Sequence, residues 1–353
     1  MSRFLKDRYK SFQSYTPGEQ PQDQEYIKLN TNESPYPPAP EVIRALKETD
    51  LEKLRLYPDP TGRKLKEKIA ALYDVKPENV FLSNGSDDIL NFSFMAFNDA
   101  DDNLIFPDIT YSFYKVIAGL HDVSYREVPL KEDFTIDVDG FCSDTRSNVV
   151  IPNPNAPTGI ELGLDSIRKI AEAGRDRLVL VDEAYVDFGG TSAVPLTKEY
   201  DNILVSQTFS KSRSFAGGRL GFAMGNESLI KDLELIQYST NPYNVNRLSM
   251  ILAEASLDAD DYYKENSMKI QKTRQWTASA LESLGAEVLP SKANFVFASV
   301  PAMSGQDLYS GLKKRGILIR HWNQPRIENW VRITIGTDQQ MEKLAEAMKE
   351  MLK

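Results

Sequence analysis

The sequence predicts an α/β protein with a mostly parallel central sheet, helices on both faces of that sheet, and a smaller α/β unit towards the C-terminus. Three observations predict it. Between about residues 80 and 224 short apolar runs alternate with amphipathic helical patterns, and continuous apolar runs are what strands buried on both faces require. Each run ends in a cluster of polar, glycine and proline residues, at the strand ends where such sheets bind ligands. Beyond residue 240 the pattern resumes as a long helical region, short strand-like runs and a final helix.

With 353 residues the chain can bury a large core, and its length favours about two domains. Its composition is that of a soluble globular protein, 41% hydrophobic and 26% charged, with no low-complexity tract. A net charge of −9 argues against nucleic acid and anionic membranes as partners. The segment Met1–Arg8 has no apolar core for a signal peptide, and no stretch is long enough to span a bilayer, so a cytoplasmic location is expected. Cys142 stands alone and the histidines are only His121 and His321, so neither a disulfide nor a metal centre is expected.

Taken in order, residues 1–29 are polar with scattered Tyr15, Pro17 and Pro21, and read as an arm. A turn-rich join, Asn30-Thr31-Asn32-Glu33-Ser34-Pro35, follows. Pro40 opens a helix whose Val42, Ile43 and Leu46 make one apolar face. After Leu56-Tyr57-Pro58-Asp59-Pro60-Thr61-Gly62 a second helix carries Leu65, Ile69, Leu72 and Tyr73. Strands are expected at Val80–Leu82, Leu104–Phe106, Val149–Ile151, Leu178–Val181, from Ile203, and at Leu220–Met224. Residues 226–238 read as a helix, and a long helical region ends near Leu284. Strands follow near 286–289, 294–298, 317–319 and 330–335, and Asp338 is the expected cap of the last helix.

The stretch from Ile203 to Phe222 carries the chemistry. An apolar run gives way to Ser206, Thr208 and Ser210, then to Lys211, and eight residues beyond the lysine Gly217-Gly218-Arg219 is complete. Lysine is rarely found at the end of a buried strand without a chemical reason. A free amine with a pKa of ~10.4 is mostly protonated and a poor nucleophile, whereas one joined to an aldehyde cofactor sheds that full charge. Thr208, Ser210 and Arg219 suit the cofactor's phosphate, and the two glycines let the backbone come close. A surface lysine in a polar loop is the commoner explanation of a lone Ser-Lys pair, but here strand, hydroxyls, lysine and Gly-Gly-Arg occur together.

Other segments fit the same chemistry. Gly85-Ser86-Asp87 opens a helix directly after a strand, which offers free backbone N–H groups to a phosphate; the same residues could simply cap the helix. Tyr111 can stack on a cofactor ring, although an aromatic in a helix is more often core. Asp182, at the end of its strand, can pair with a pyridinium nitrogen, and Tyr185 can donate to the ring's phenolic oxygen. A strand-end aspartate that caps a turn is the simpler alternative.

Together these segments resemble the pyridoxal-phosphate-dependent transferases of fold type I, and the likeness runs from about Tyr15 to Gly336. Within that fold the sequence is most similar to the histidinol-phosphate aminotransferase family. The residues that carry this are Asn30–Pro35, Leu56-Tyr57-Pro58-Asp59, and Arg332 in Trp330–Thr337. The resemblance implies an arm over 1–29 that packs with the small domain and a partner subunit, a large cofactor domain over 30–240 and a small domain over 241–353. It implies a homodimer with shared active sites in which Tyr57 reaches the partner's cofactor phosphate. It also implies that Lys211 holds pyridoxal 5'-phosphate, and that Tyr15, Asn32, Arg320 and Arg332 contact substrate. In Asn153–Gly159 the family usually has a ring-binding asparagine directly before the proline; here that position is Ala156, and Asn155 is the candidate to replace it.

The activity implied is transfer of an amino group between L-histidinol phosphate and 2-oxoglutarate in histidine biosynthesis. An aromatic or broad-specificity aminotransferase and a threonine-phosphate decarboxylase share the scaffold, which alone does not choose between them. The cofactor-binding effector domain of a transcription regulator needs a basic DNA-binding segment, for which the arm is too short.

Overall fold

A computed structural model describes residues 2–10, 12–99 and 103–353. The strands in chain order are β1 (Ile27–Lys28), β2 (Val80–Ser83), β3 (Asn103–Pro107), β4 (Ser124–Val128), β5 (Asn148–Pro152), β6 (Val179–Asp182), β7 (Ile203–Thr208) and β8 (Gly221–Gly225). They continue with β9 (Glu287–Val288), β10 (Phe295–Ser299), β11 (Ile317–Leu318), β12 (Arg320–His321) and β13 (Trp330–Thr334). The main helices are α1 (Pro40–Glu48), α2 (Arg63–Tyr73), α3 (Ser86–Phe97), α4 (Phe113–His121), α5 (Val138–Cys142) and α6 (Leu164–Ala173). After them come α7 (Glu227–Thr240), α8 (Arg247–Asp258), α9 (Asp260–Ser283), α10 (Gly305–Lys314) and α11 (Asp338–Met351).

Seven strands form the central sheet in the order β2-β8-β7-β6-β5-β3-β4. Every pairing is parallel except the two made by β8. The carboxyl ends of β2, β3, β5, β6 and β7 therefore share one edge, and because β8 runs the other way its start lies at that same edge. That is why Arg219, which precedes β8, meets residues that follow the other strands. β5, β6 and β7 are buried along almost their whole length, as continuous apolar strands covered on both faces must be. A second sheet, β12-β13-β10-β9, is antiparallel and lies in the C-terminal part of the chain. β1 pairs in parallel with β11, which ties the end of the arm to that C-terminal part.

Four expectations change. Thr337, not Asp338, caps α11, with its hydroxyl accepting from the Gln340 N–H and the Gln340 side chain accepting from the Thr337 N–H. The long helical region is two helices that meet at Ala259. The apolar face of α1 is only partly covered, for Val42 is buried while Ile43 and Leu46 are exposed. β4 carries the mixed sequence Ser-Tyr-Arg-Glu-Val because it is an edge strand, and no apolar run announces it.

Candidate active site

At the shared strand edge a cavity of about 330 Å³ is lined from both parts of the chain. Lys211 enters it from the turn after β7, and its Nζ donates to the Thr31 carbonyl at 3.0 Å. Burial, with the Arg332 guanidinium adding to it, pushes the amine down to about 8. The turn itself is firmly held. Ser212 donates to Asp187, and Arg213, buried, pairs with Asp260 at 2.6 Å and donates to the Ser256 carbonyl.

One end of the cavity gathers groups that suit an anion. Ser86 begins α3, whose first N–H groups have no partner within the helix. Gly85 precedes it at φ +95, and a Cβ there would stand 2.7 Å from Arg219 Nη2. A Cβ on Gly221 would stand 2.5 Å from the Gly85 carbonyl carbon and the Ser86 nitrogen, so only glycine lets β8 close against the start of the helix. Thr208, Ser210 and Arg219 also line the cavity. Arg219 has a left-handed φ of 50 and is held by Asp87 at 3.2 Å, while Tyr111 donates to the other Asp87 oxygen at 3.1 Å. Tyr111 stands just before α4 rather than within it.

The floor holds Asp182. Tyr114 donates to its Oδ2 at 2.7 Å, whereas its buried Oδ1 has no hydrogen-bond partner among the described residues. Burial pushes this carboxyl up to about 6. Tyr114 lines the cavity beside Asp182, a place that the sequence hid, since in a helix reading Phe-Tyr-Lys-Val-Ile-Ala-Gly-Leu-His it looks like core. Tyr185 lines the next wall, its ring edge-on to Phe295 at 5.1 Å. Asn32 lines the cavity too, but its amide is committed to neighbours: Nδ2 donates to Tyr185 at 2.9 Å. Asn155 is a correction. Its Nδ2 donates to the Ile109 carbonyl at 3.0 Å and to Thr158 at 3.2 Å, and its Oδ1 accepts from Thr110 at 3.0 Å. It is a buried turn residue facing β3's end, and Ala156 faces the cavity instead.

Arg320 and Arg332 close the far side. Arg332 donates to the Asn30 carbonyl at 3.0 Å and keeps a buried Nε that has no partner among the described residues. Arg320 reaches the carbonyls of Thr16 and Pro17, and Tyr15 of the same arm packs edge-on against Tyr111. Trp322, not foreseen from the sequence, lies under both guanidiniums. Tyr57 is absent from this cavity; it is 76% exposed and stacks on Tyr243 at 4.2 Å.

The family model for aminotransferase class I and II matches residues 24–348. The chain belongs to that family. It is 50% identical over 354 residues to the histidinol-phosphate aminotransferase of Brachyspira hyodysenteriae, with the whole of both chains covered. The crystal structure of the histidinol-phosphate aminotransferase from Clostridium acetobutylicum superposes with a TM-score of 0.85 at 26% identity, over 92% of this chain and 99% of that one. A TM-score of 0.85 also relates it to the Sinorhizobium meliloti histidinol-phosphate aminotransferase in complex with pyridoxal-5'-phosphate, at 24% identity, over 93% of this chain and 91% of that one. The protein is thus an aminotransferase, of a family that uses pyridoxal phosphate. Its site fits that group. The orphaned Asp182 Oδ1 lies deep in the cavity, the glycine-packed start of α3 stands at one end, and an amine with its charge weakened by burial lies in the same cavity. Among the described residues no helix is long and apolar enough to cross a membrane.

Proposed function

We propose that this aminotransferase moves the amino group of L-histidinol phosphate to 2-oxoglutarate, and that it does so as a homodimer. The observation that carries the substrate assignment is the pair of guanidiniums at Arg320 and Arg332, which among the described residues have no carboxylate partner and line the cavity that holds Lys211. Two cations facing each other across a strand pair, neither within ion-pair distance of a carboxylate among the described residues, are favoured by an anion that neutralises them. A phosphate monoester on the donor, and a carboxylate of the 2-oxo acid in the second half of the cycle, meet that need.

Pyridoxal phosphate, when bound, supplies the electron sink for the pair released at the substrate Cα. Lys211 would hold the cofactor and would then move the Cα proton, a task suited to an amine near 8 rather than near 10.5. Asp182 Oδ1 would hold the proton on the ring nitrogen, and Tyr185 would donate to the phenolic oxygen. Ser86, Thr208, Ser210 and Arg219 would hold the cofactor phosphate, with Asp87 and Tyr111 keeping Arg219 and the ring wall in place.

Support for the dimer comes from the exposed apolar surface around Tyr57, which includes Leu51, Leu54, Leu56 and Tyr243 as well as Ile43 and Leu46 on α1. A second chain seated there would bring Tyr57 to the partner's phosphate site. The reading is tested with a panel of amino donors and 2-oxoglutarate, following glutamate and CO₂. Histidinol phosphate should be the best donor, with glutamate formed and no CO₂. A preference for phenylalanine or tyrosine, or release of CO₂ from a phosphorylated amino acid, would overturn it.

A further inference from the structure

Thr334 ends β13, two residues beyond Arg332, and only 2% of it is exposed. Its Oγ1 accepts the Asn32 backbone N–H at 3.0 Å and faces Asn32 Oδ1 at 3.0 Å. Asn32 sits at a left-handed φ of 57, and its carbonyl accepts from Asn294 Nδ2 at 2.9 Å. These three bonds hold a backbone conformation that a side-chain-bearing residue adopts only at a cost.

The bonds also decide a proton direction. A threonine hydroxyl has one proton, and Asn32 Oδ1 is its acceptor among the described residues. The side-chain atom of Asn32 that faces Thr334 must therefore be the oxygen. The amide nitrogen is left to face Tyr185 at 2.9 Å, and it can only donate. The Tyr185 oxygen thus accepts a hydrogen bond from Asn32, and its own proton is free to point into the cavity. The loop opposite cannot share that work, because Ala156 faces the cavity and Asn155 is turned out of it.

We infer that Thr334 is a positioning residue for this aminotransferase: through the Asn32 amide it fixes the direction in which Tyr185 donates, towards the phenolic oxygen of the bound cofactor ring. The inference rests on the proposed role of Tyr185. That oxygen carries its full negative charge in the deprotonated form of the lysine-linked cofactor, so a well-aimed donor stabilises that form and lowers the midpoint of its visible titration. Losing the aim raises the midpoint.

The experiment compares holoenzymes. Borohydride reduction followed by peptide mass is read first, and the label should appear on Lys211 in wild type and in Thr334→Val. Thr334→Val should raise the titration midpoint by about one unit and lower kcat more than it alters KM, and Thr334→Ser should restore both. In a Tyr185→Phe background Thr334→Val should add no further shift, because the group it aims is gone. If Thr334→Val does not take up cofactor, the smaller Thr334→Ala carries the same expectation. A variant that loads cofactor and titrates like wild type overturns the inference, and so does a full additional shift in the Tyr185→Phe background. Absence of label from Lys211 in the wild type would instead overturn the reading of the site on which the inference rests.

Discussion

Arg320 and Arg332 are registered partners on neighbouring antiparallel strands, and both guanidiniums lie over the Trp322 ring, 5.4 and 5.3 Å from its centroid. The shared aromatic face offsets part of their repulsion, and an anion offsets the rest. Arg332 is half-buried and braced by the Asn30 carbonyl, whereas Arg320 is nearer the surface and among the described residues hydrogen-bonds only to arm carbonyls, at 3.3 and 3.4 Å.

That difference predicts a split in substrate effects. A hydrogen bond to a charged group contributes about 1.5–3 kcal/mol, and each 1.36 kcal/mol is tenfold in rate. Arg320→Ala should cost roughly one to two decades in kcat/KM for a phosphate-bearing donor. The loss should be much smaller for phenylalanine, whose carboxylate the braced Arg332 can bind alone. Equal losses on the two donors would remove Arg320 as the phosphate selector.

Much of this site was legible in the sequence, and the reason is topological. Strands buried on both faces read as apolar runs, so Ser83, Pro107, Pro152, Asp182 and Thr208 announced themselves as strand ends, and in a parallel sheet those ends converge. What stayed hidden depends on contacts between distant segments. Nothing near Tyr114 shows that its hydroxyl reaches a carboxylate 68 residues away, and nothing near Thr334 shows a partner 302 residues away. Asn155 was misread for the same reason, since the direction of its amide is set by Ile109 and Thr110 on a different loop. The exposed side of α1 looked like a core face because periodicity reports that a face is apolar, not which surface covers it.

Asn155 therefore yields a prediction of separation. Asn155→Ala removes one acceptor and two donor contacts from a buried turn, and unpaired buried polar groups cost about 1–3 kcal/mol. The unfolding midpoint should fall by several degrees, while the visible titration of the loaded enzyme should stay at the wild-type midpoint. A raised midpoint at unchanged stability would place Asn155 against the cofactor after all.

Tyr57 tests the shared site. Its backbone is fixed by Arg247, which donates to its carbonyl at 2.7 Å, and its ring stands outside its own chain's cavity. Mixing Lys211→Ala chains with Tyr57→Phe chains makes heterodimers in which one site carries both lesions and the other carries neither, provided that Tyr57 acts across the interface. Random reassortment should then recover about a quarter of wild-type activity. Activity no greater than the mean of the two parent homodimers would mean that Tyr57 does not complete the partner's site.

The last prediction concerns pH and two neighbouring carboxyls. Burial pushes Asp182 up to about 6 and Glu183 up to about 7; the latter accepts from the Ala193 N–H, Ser192 and Gln207. Their ordinary values in an unfolded chain are about 4. Between those values the folded protein binds more protons than the unfolded chain, so the stability these groups contribute is present at pH 4 and lost as pH rises through 6 to 7. Carboxylates with lowered values, such as Asp59, Asp139 and Asp260, contribute stability that is already complete above their unfolded values, so they add little slope there. His121, lowered by burial, opposes the trend below its ordinary value near 6.5, and Lys211, lowered to about 8, reverses it only above pH 8. The cofactor-free protein should therefore melt at a higher temperature at pH 5.5 than at pH 8. Glu183→Gln, which keeps the shape and removes the titration, should shrink that difference, and Asp182→Asn should shrink it further. Thermal melts of cofactor-free protein at the two pH values decide it, and a difference that neither substitution alters would mean that both carboxyls are ionised throughout this range.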